Sequence, residues 1–318
     1  MDFGVATSTR GVCGGREGYV AVAEAAERLG FGFISVNDHV VVPRDIGSRY
    51  PYSESGEWAA RTAGACLDQL ATLAFLAART ERVRLLTSVM VVPHRQPVLA
   101  AKMLATIDVL SGGRLIVGCG VGWLKEEFEA VGAPPFAERG RVTDEYIDAI
   151  KTLWTEDDPK LRGTYVGFEN LMFSPKPVAK PHPPIWIGGE GAIALKRAVR
   201  VGDGWYPASN NPQHRLDTTA RLAGAVGELH RTAEAAGRDP ASLDVAYLVL
   251  SPVDWTAQKA ADGGRRAFTG SAQDMAADVA TLTDAGVRHV CLTFQTADLA
   301  ETLDRMRRFA GEVMPLAR

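Results

Sequence analysis

Several features that define whole classes of protein are missing from this sequence. No apolar run is long enough to cross a bilayer, and Met1–Val5 lacks both the basic start and the long apolar stretch of a secretory signal. The 318 residues carry a net charge of -3, which argues against a nucleic-acid partner because such a partner requires a basic face. We therefore expect neither a membrane nor a nucleic acid among its partners.

Cysteine is scarce, and its spacing excludes the common metal and redox motifs. The four cysteines form no C-x-x-C pair, and none of the six histidines belongs to an H-E-x-x-H or Cys/His cluster. Scattered cysteines of this kind are typical of reduced thiols in the cytoplasm. The sequence thus predicts a cytoplasmic protein that binds a small molecule and holds no metal.

The chain does contain a regular alternation of short apolar runs and longer amphipathic stretches. The predicted strands are Phe3–Thr7, Phe33–Val36, Arg84–Met90, Leu115–Cys119, Ile185–Ile187, Gly204–Pro207, Asp244–Leu250 and Val290–Phe294. The predicted helices are Glu17–Leu29, Gly64–Ala78, Pro97–Leu110, Thr143–Trp154, Ala192–Val201, Pro212–Ala236, Asp274–Ala285 and Leu299–Met314. About eight β-α units predict an α/β fold, the (β/α)8 TIM barrel. A doubly wound Rossmann sheet would place G-x-G-x-x-G after the first strand, and that spacing is absent after Thr7.

Three connections are longer than such a barrel needs, so we expect one domain over residues 1–318 with insertions after strands 2, 4 and 7. They are Val40–Thr62, Thr155–Pro184 and Ser251–Gly270. The many prolines of the second exclude helix and central strand, which predicts an extended arm over the barrel. The third is either a lid or a simple loop.

Residues that follow the strands are the candidates for chemistry, because the C-terminal ends of barrel strands carry the active site. Asp38-His39 closes the second strand, and an adjacent acid and imidazole suit hydrogen bonding to a ligand or proton transfer. A helix-capping aspartate beside a satisfied histidine is the alternative. Gly118–Gly122 reads G-x-G-x-G after the fourth strand, where glycines would let the backbone pass close to a ligand.

The segment Ile185–Ala192 runs from a buried strand through glycines into a helix. The N–H groups and the positive dipole end of such a helix start form a seat for a phosphate. A tight turn that needs glycine for positive φ is the alternative. Glu190 is an unusual neighbour for a phosphate, so we expect it to face solvent or to cap a backbone amide.

Taken in order, these segments resemble the luciferase-like family of flavin and coenzyme F420 oxidoreductases over nearly the whole chain. The segments that carry the resemblance are Asn37-Asp38-His39, Thr87-Ser88-Val89, Ser111-Gly112-Gly113-Arg114-Leu115, Gly118–Leu124, Pro184–Gly189, Gly202-Asp203-Gly204-Trp205 and Asp284-Ala285-Gly286-Val287. Each is short, and it is their order and spacing together that are specific. The Asp-His pair looks like the F420-dependent branch of the family.

The resemblance implies a site for a tricyclic cofactor at the open end of the barrel. Asp38 and His39 would be catalytic, with Asp38 beside the ring and His39 as acid, base or charge stabiliser. The other cofactor contacts would come from Ser88, Val89 and Met90 behind the ring, Cys119 and Gly120 at its side, and Gly188, Gly189 and Glu190 at the phosphate. In this family the peptide bond at the position of Ser88-Val89 is often cis.

The activity that the resemblance implies is hydride transfer between F420 and a small organic substrate. One alternative is an FMN-dependent two-component monooxygenase, and another is a non-catalytic protein that binds flavin or deazaflavin. A sugar phosphate is disfavoured as substrate, because Val121 stands where that branch has a catalytic acid. Since family members usually pair through barrel-side helices, we expect a homodimer, with an F420 or flavin reductase as a further partner.

Overall fold

The computed structural model describes residues 1–8, 10–62 and 65–317. The strands in these residues are β1 (Asp2–Thr7), β2 (Phe33–Val36), β3 (Arg84–Val91), β4 (Leu115–Gly120), β5 (Leu161–Arg162), β6 (Gly167–Phe168), β7 (Ile185–Gly188), β8 (Gly204–Tyr206), β9 (Asp244–Pro252) and β10 (His289–Thr293). Eight of them close a parallel barrel in the order β1-β2-β3-β4-β7-β8-β9-β10, and β10 pairs with β1. The predicted (β/α)8 fold is confirmed.

Helices surround this barrel, as the alternating pattern predicts. Those in the described residues are α1 (Arg16–Leu29), α2 (Gln69–Ala77), α3 (Pro97–Ser111), α4 (Lys125–Ala130), α5 (Arg139–Thr155), α6 (Ala192–Val201), α7 (Thr219–Ala235), α8 (Ala272–Asp284) and α9 (Leu299–Glu312). No helix in this part of the chain is long and apolar enough to span a bilayer. The short α4 follows β4 directly and lies beside the open end of the barrel.

Two helices begin later than their hydrophobic patterns predict, because a capping side chain sets the first turn. The α2 helix begins after Asp68, whose carboxylate accepts a hydrogen bond from a backbone N–H of the first turn. Its predicted start at Gly64 lies outside the described residues. The α7 helix begins seven residues after the predicted Pro212, with the Thr218 hydroxyl as its cap.

The arm predicted over residues 155–184 contains a short β-hairpin that the sequence pattern does not predict. The strands β5 and β6 pair antiparallel, and two residues each are too few to show a period of two. The Glu145 carboxylate of α5 accepts hydrogen bonds from the N–H groups of Thr164, Tyr165 and Val166 at 2.9, 2.6 and 2.8 Å. These bonds fasten the hairpin turn to the outer layer of the barrel.

The segment 251–270 is tied to the helix that follows it. Arg265 forms an ion pair with Asp278 of α8 at 2.5 Å, and the same carboxylate accepts the Phe268 N–H at 2.8 Å. An isolated parallel bridge joins Asp254 to Thr269. The segment therefore folds back on itself beside β9.

Strand side chains divide between two cores. Those that point outward pack against the helices, whereas the interior of the barrel is filled by Phe33, Leu86, Ile116, Trp186, Tyr206, Ala246 and Cys291. A Cβ at Gly4 would overlap the ring of Phe33, so this position requires glycine. Ala6, Val89 and Leu248 cover the interior cluster and form its last apolar layer.

The β3 strand is irregular at Ser88-Val89. This peptide bond is cis, as the resemblance implies, and the pairing register with β4 shifts between Thr87 and Met90. Val89 contacts the interior cluster, while Met90 is fully buried in the helix-side core. The irregularity lies at the end of the barrel where a cavity opens.

Candidate active site

A cavity of about 830 Å³ opens at the C-terminal ends of the barrel strands. The apolar layer of Ala6, Val89 and Leu248 forms its floor. Small-molecule sites typically occupy about 300–1,000 Å³, and this volume falls in that range. Of the predicted site residues, those that line the cavity are Asp38, His39, Ser88, Val89, Gly120, Gly188 and Gly189.

Asp38 is held in a buried, bidentate ion pair with Arg95. The Arg95 Nη1 and Nη2 atoms lie 2.7 and 2.9 Å from the two carboxylate oxygens, and the Val91 N–H donates to Oδ2 at 2.9 Å. Arg95 also contacts Asp68, the cap of α2, at 2.9 Å. Burial lowers the pKa of Arg95, but its bonds to Asp38 and Asp68 outweigh burial and raise that pKa. Asp38 therefore joins the ends of β2 and β3 to the start of α2.

His39 is paired with a carboxylate that comes from a different element. Its Nδ1 lies 2.9 Å from Oε2 of Glu127 on α4. The imidazole ring packs on Trp58, with ring centroids 4.3 Å apart, and it meets Trp123 edge-on at 6.4 Å. Its Nε2 makes no hydrogen bond to any residue that the structure describes. This nitrogen is the one available to a molecule in the cavity.

The loop 40–62 is fastened to α4 by two adjacent carboxylates. Glu127 accepts the N–H groups of Val40 and Val41 at 2.6 and 3.1 Å. Glu126 accepts those of Gly47 and Ser48 at 2.7 and 3.0 Å. The loop thus reaches the cavity in a fixed position.

Aromatic side chains from this loop and from the turn after β4 form one wall of the cavity. Trp123 meets Trp58 and Tyr50 edge-on, at centroid distances of 5.6 and 5.2 Å. The Arg10 guanidinium lies over the Trp58 ring at 4.9 Å. Burial raises the pKa of Tyr50 to about 12, so its phenol is neutral at pH 7. Such a wall offers large, rigid contact area to an apolar or planar ligand.

The glycines that end β4 and β7 make room for Val89. A Cβ at Gly120 would lie 2.5 Å from Val89 Cγ2, and one at Gly188 would lie 3.1 Å from Val89 Cγ1. Ser88, beside Val89, shares a hydrogen bond of 3.0 Å with the hydroxyl of Tyr206. These glycines therefore seat the irregular part of β3 beneath the cavity.

The side chains of Met90 and Cys119 do not line the cavity. Both lie in the helix-side core, because alternation along β3 and β4 turns their neighbours Val89 and Gly120 inward instead. Burial raises the pKa of the Cys119 thiol to about 12, which makes it unreactive. A cofactor in the cavity would meet these two residues through main-chain atoms.

Glu190 also lies outside the cavity lining. Its carboxylate accepts the Ala208 N–H at 2.8 Å and a hydrogen from the Asn211 amide at 2.7 Å, which agrees with the expected backbone cap. Burial raises the pKa of this acid despite those bonds. Gly189 has a φ of 106°, so the turn before α6 favours glycine whether or not a phosphate binds. The Glu190 carboxylate is thus directed at the turn after β8.

Four residues join the site without a sequence signal of their own. They are Glu127, Arg95, Tyr206 and His94. Both ring nitrogens of His94 are buried without a hydrogen-bond partner among the described residues, and its ring packs on Phe128 at 4.7 Å. Burial lowers the pKa of His94, so this imidazole is neutral at pH 7. In the described residues no group of His, Cys, Asp and Glu side chains is placed to hold a metal.

Fold and cavity together define a TIM barrel with a cavity at the C-terminal end of its strands. Residues 1–312 match the model of the luciferase-like monooxygenase family. The chain therefore belongs to that family, whose members are oxidoreductases and monooxygenases.

Sequence relatives differ in how much of the chain they share. An uncharacterised protein from Mycobacterium tuberculosis is 32% identical over 289 residues, which is 89% of this chain and 97% of that protein. The FMNH(2)-dependent dimethylsulfone monooxygenase of Pseudomonas putida is 41% identical over 138 residues. This second match spans 43% of this chain and only 38% of the length of the relative.

Solved structures share the whole architecture. The monooxygenase RslO1 from Streptomyces bottropensis has a TM-score of 0.75 and 24% identity, with 99% of each chain covered. An F420-dependent secondary alcohol dehydrogenase has a TM-score of 0.76 and 20% identity, with 100% of this chain and 99% of that chain covered. At these identities the likeness shows the fold alone.

Proposed function

We propose that the protein is an F420-dependent oxidoreductase that transfers a hydride between the deazaflavin and a small organic substrate. The observation that carries the proposal is the pairing of His39 with Glu127 at the wall of an apolar cavity. Hydride addition to a carbonyl requires a proton at the oxygen, and a carboxylate-paired imidazole can supply it. A barrel of the same architecture is an F420-dependent secondary alcohol dehydrogenase, which agrees with this chemistry.

The residues of the cavity fit a flat tricyclic ring. Ala6, Val89 and Leu248 offer an apolar floor, and the main chain at Ser88-Val89 offers polar atoms beside it. The two ring nitrogens of His94 have no hydrogen-bond partner in the part of the chain that the structure describes. The turn before α6, at Gly188-Gly189, would receive the phosphate of the ribityl chain. When bound, the cofactor supplies the hydride.

The chain itself supplies the proton, orientation and exclusion of water. His39 Nε2 gives a proton to the substrate oxygen in reduction and removes one in oxidation. Tyr50, Trp58 and Trp123 hold the substrate against the floor and keep the site dry. Asp38 acts here by fixing the strand ends through Arg95.

Titration with F420 and with FMN tests the cofactor assignment. We expect F420 to bind in the micromolar range or tighter and FMN at least about tenfold more weakly, which is 1.4 kcal/mol in binding free energy. Fluorescence of the two cofactors measures both affinities. Spectra under anaerobic conditions would then show F420 turnover without oxygen. Tight FMN binding without F420 binding would overturn the proposal.

A second candidate is an FMN-dependent two-component monooxygenase. The 41% identity to the FMNH(2)-dependent dimethylsulfone monooxygenase over 138 residues favours it. This candidate requires reduced FMN from a separate reductase and consumes oxygen. Oxygen uptake that depends on reduced FMN would establish it, whereas cofactor binding with no turnover under either condition would favour a non-catalytic binding protein.

We also propose that two copies of the chain pair through α2 and α3. These helices pack side by side and are apolar on nearly every face, with Phe75, Leu99, Val109 and Leu110 exposed. Burial of such a patch is favourable, and a charge within it is not. We expect a dimer that Leu110→Glu converts to a monomer, as measured by light scattering. Met172→Glu changes an exposed methionine on the arm and should remain dimeric.

A further inference from the structure

We infer that Glu127 is a positioning residue that fixes the tautomer of His39 and ties this orientation to the substrate loop. The catalytic effect of this tautomer rests on the proposed function. The contacts from which the tautomer is inferred are all between residues of this chain. Glu127 belongs to a run of acids after β4, and the sequence pattern there predicts no more than the start of a short amphipathic helix. Its side chain is nevertheless only 1% exposed.

Each carboxylate oxygen of Glu127 has a separate task. Oε2 meets Nδ1 of His39 at 2.9 Å, and Oε1 accepts the N–H groups of Val40 and Val41 at 2.6 and 3.1 Å. Three donors from three consecutive residues therefore converge on one buried carboxylate. A buried acid with this many bonds specifies geometry, since any rotation of its side chain would leave donors unpaired.

The carboxylate selects one tautomer of His39. Burial raises the pKa of Glu127, but the hydrogen bond and charge of His39 outweigh burial, and the pKa lies below its usual value. An ionised carboxylate can only accept, so Nδ1 of His39 carries the hydrogen and faces Glu127. The exchangeable proton is then confined to Nε2, the nitrogen that the protein leaves to the cavity.

The α4 helix that holds His39 also holds the loop that carries Tyr50 and Trp58 of the aromatic wall. Glu127 holds Val40 and Val41 directly after His39, and Glu126 holds the next anchored pair at positions 47 and 48. Tyr50 and Trp58 follow on the same loop. A change at Glu127 can therefore act on proton transfer and on substrate binding, and suitable substitutions separate the two.

Other titratable groups near His39 are compensated or neutral. Asp38 is paired with Arg95, and burial keeps His94 and Tyr50 in their neutral forms at pH 7. The cation of Arg10 lies on Trp58, the ring that also packs on His39. Glu127 is the charged group in direct contact with the imidazole among the described residues. A change in the His39 tautomer after replacement of Glu127 can thus be assigned to this pair.

Glu127→Gln separates the two tasks. The amide oxygen of glutamine can still accept the N–H groups of Val40 and Val41, but its NH2 group then faces Nδ1 of His39. A donor at that place forces the opposite tautomer, with the hydrogen on Nε2. Glu127→Ala removes both tasks at once. Glu129→Gln is the matched control, because Glu129 is exposed on the same helix and its side chain pairs, among the described residues, with Lys125.

Steady-state kinetics give the first readout. We expect Glu127→Gln to lower kcat by roughly 10²-fold with little change in KM, since general acid–base catalysis contributes about 10²–10⁴-fold. Glu127→Ala should raise KM as well, and Glu129→Gln should match the parent.

Nitrogen-15 NMR of the protein without cofactor gives a readout that does not depend on activity. The His39 signals, assigned by their loss in His39→Gln, should show hydrogen on Nδ1 in the parent protein and on Nε2 in Glu127→Gln. A parent protein with hydrogen on Nε2, or a Glu127→Gln variant with unchanged tautomer and kcat, would overturn the inference. If the tautomers are as expected but His39→Gln retains full turnover, the proposed function fails and the positioning by Glu127 stands.

Discussion

Replacing His39 with glutamine is expected to lower the rate of hydride transfer by about 10²–10⁴-fold, the usual contribution of a general acid or base. Glutamine keeps a polar group beside Glu127 but cannot donate and regain a proton at neutral pH. Cofactor affinity should change little, because the apolar floor of the cavity is untouched. Stopped-flow absorbance of the cofactor measures the transfer step, and a titration of the same sample measures the affinity.

Substitutions of two further histidines test whether the loss of activity is specific to His39. His230 lines a second cavity at the opposite end of the barrel, so His230→Gln should retain parent activity. His94 lines the main cavity, but burial lowers its pKa and keeps it neutral at pH 7. If His94→Gln lowers activity by about 10²–10⁴-fold while His39→Gln remains active, the proton donor is His94 instead. Full activity of both variants would remove acid–base catalysis from the proposal.

The barrel could be predicted from sequence because each strand is short, apolar and followed by a helix. The run Ile185–Ile187, for example, is bounded by prolines on one side and glycines on the other, and it forms β7 with one further residue. The hydrophobic pattern does not fix where a helix starts, because a capping side chain overrides it, as Thr218 does at α7. The hairpin of the arm could not be predicted, because strands of two residues are too short to show the alternation of apolar and polar side chains.

The candidate site could be predicted only in part, for a physical reason. Topology places every strand end at one rim of the barrel, so Asp38 and His39 could be located from their position after β2. Their partners could not, because Arg95 and Glu127 lie 57 and 88 residues further along the chain. No pattern along a sequence records which distant charge meets a strand end. The partners nevertheless decide which of the two residues can move a proton.

Asp38→Asn is expected to destabilise the folded protein by roughly 3 kcal/mol, which is at the lower end of the range for breaking a buried ion pair. The lower end applies because Arg95 retains its ion pair with Asp68. Asparagine is nearly isosteric, so the loss reflects charge and not volume. In Asp38 the carboxylate oxygens accept hydrogen bonds from Arg95 and from the Val91 N–H. The NH2 group of asparagine is a donor, so it would face one of these donors and a hydrogen bond would be lost. Urea unfolding followed by fluorescence measures the change in the free energy of unfolding.

The same variant decides between the two roles that Asp38 could have. If Asp38 positions the strand ends, Asp38→Asn should lose stability, while turnover under strongly stabilising conditions should stay within about tenfold of the parent, far from the 10²–10⁴-fold loss of a missing acid or base. Asp45→Asn, the same change at an exposed position of the adjoining loop, should alter neither property. A stable but inactive Asp38→Asn protein would instead make this carboxylate part of the chemistry, because a purely structural pair cannot be broken without a cost in folding free energy.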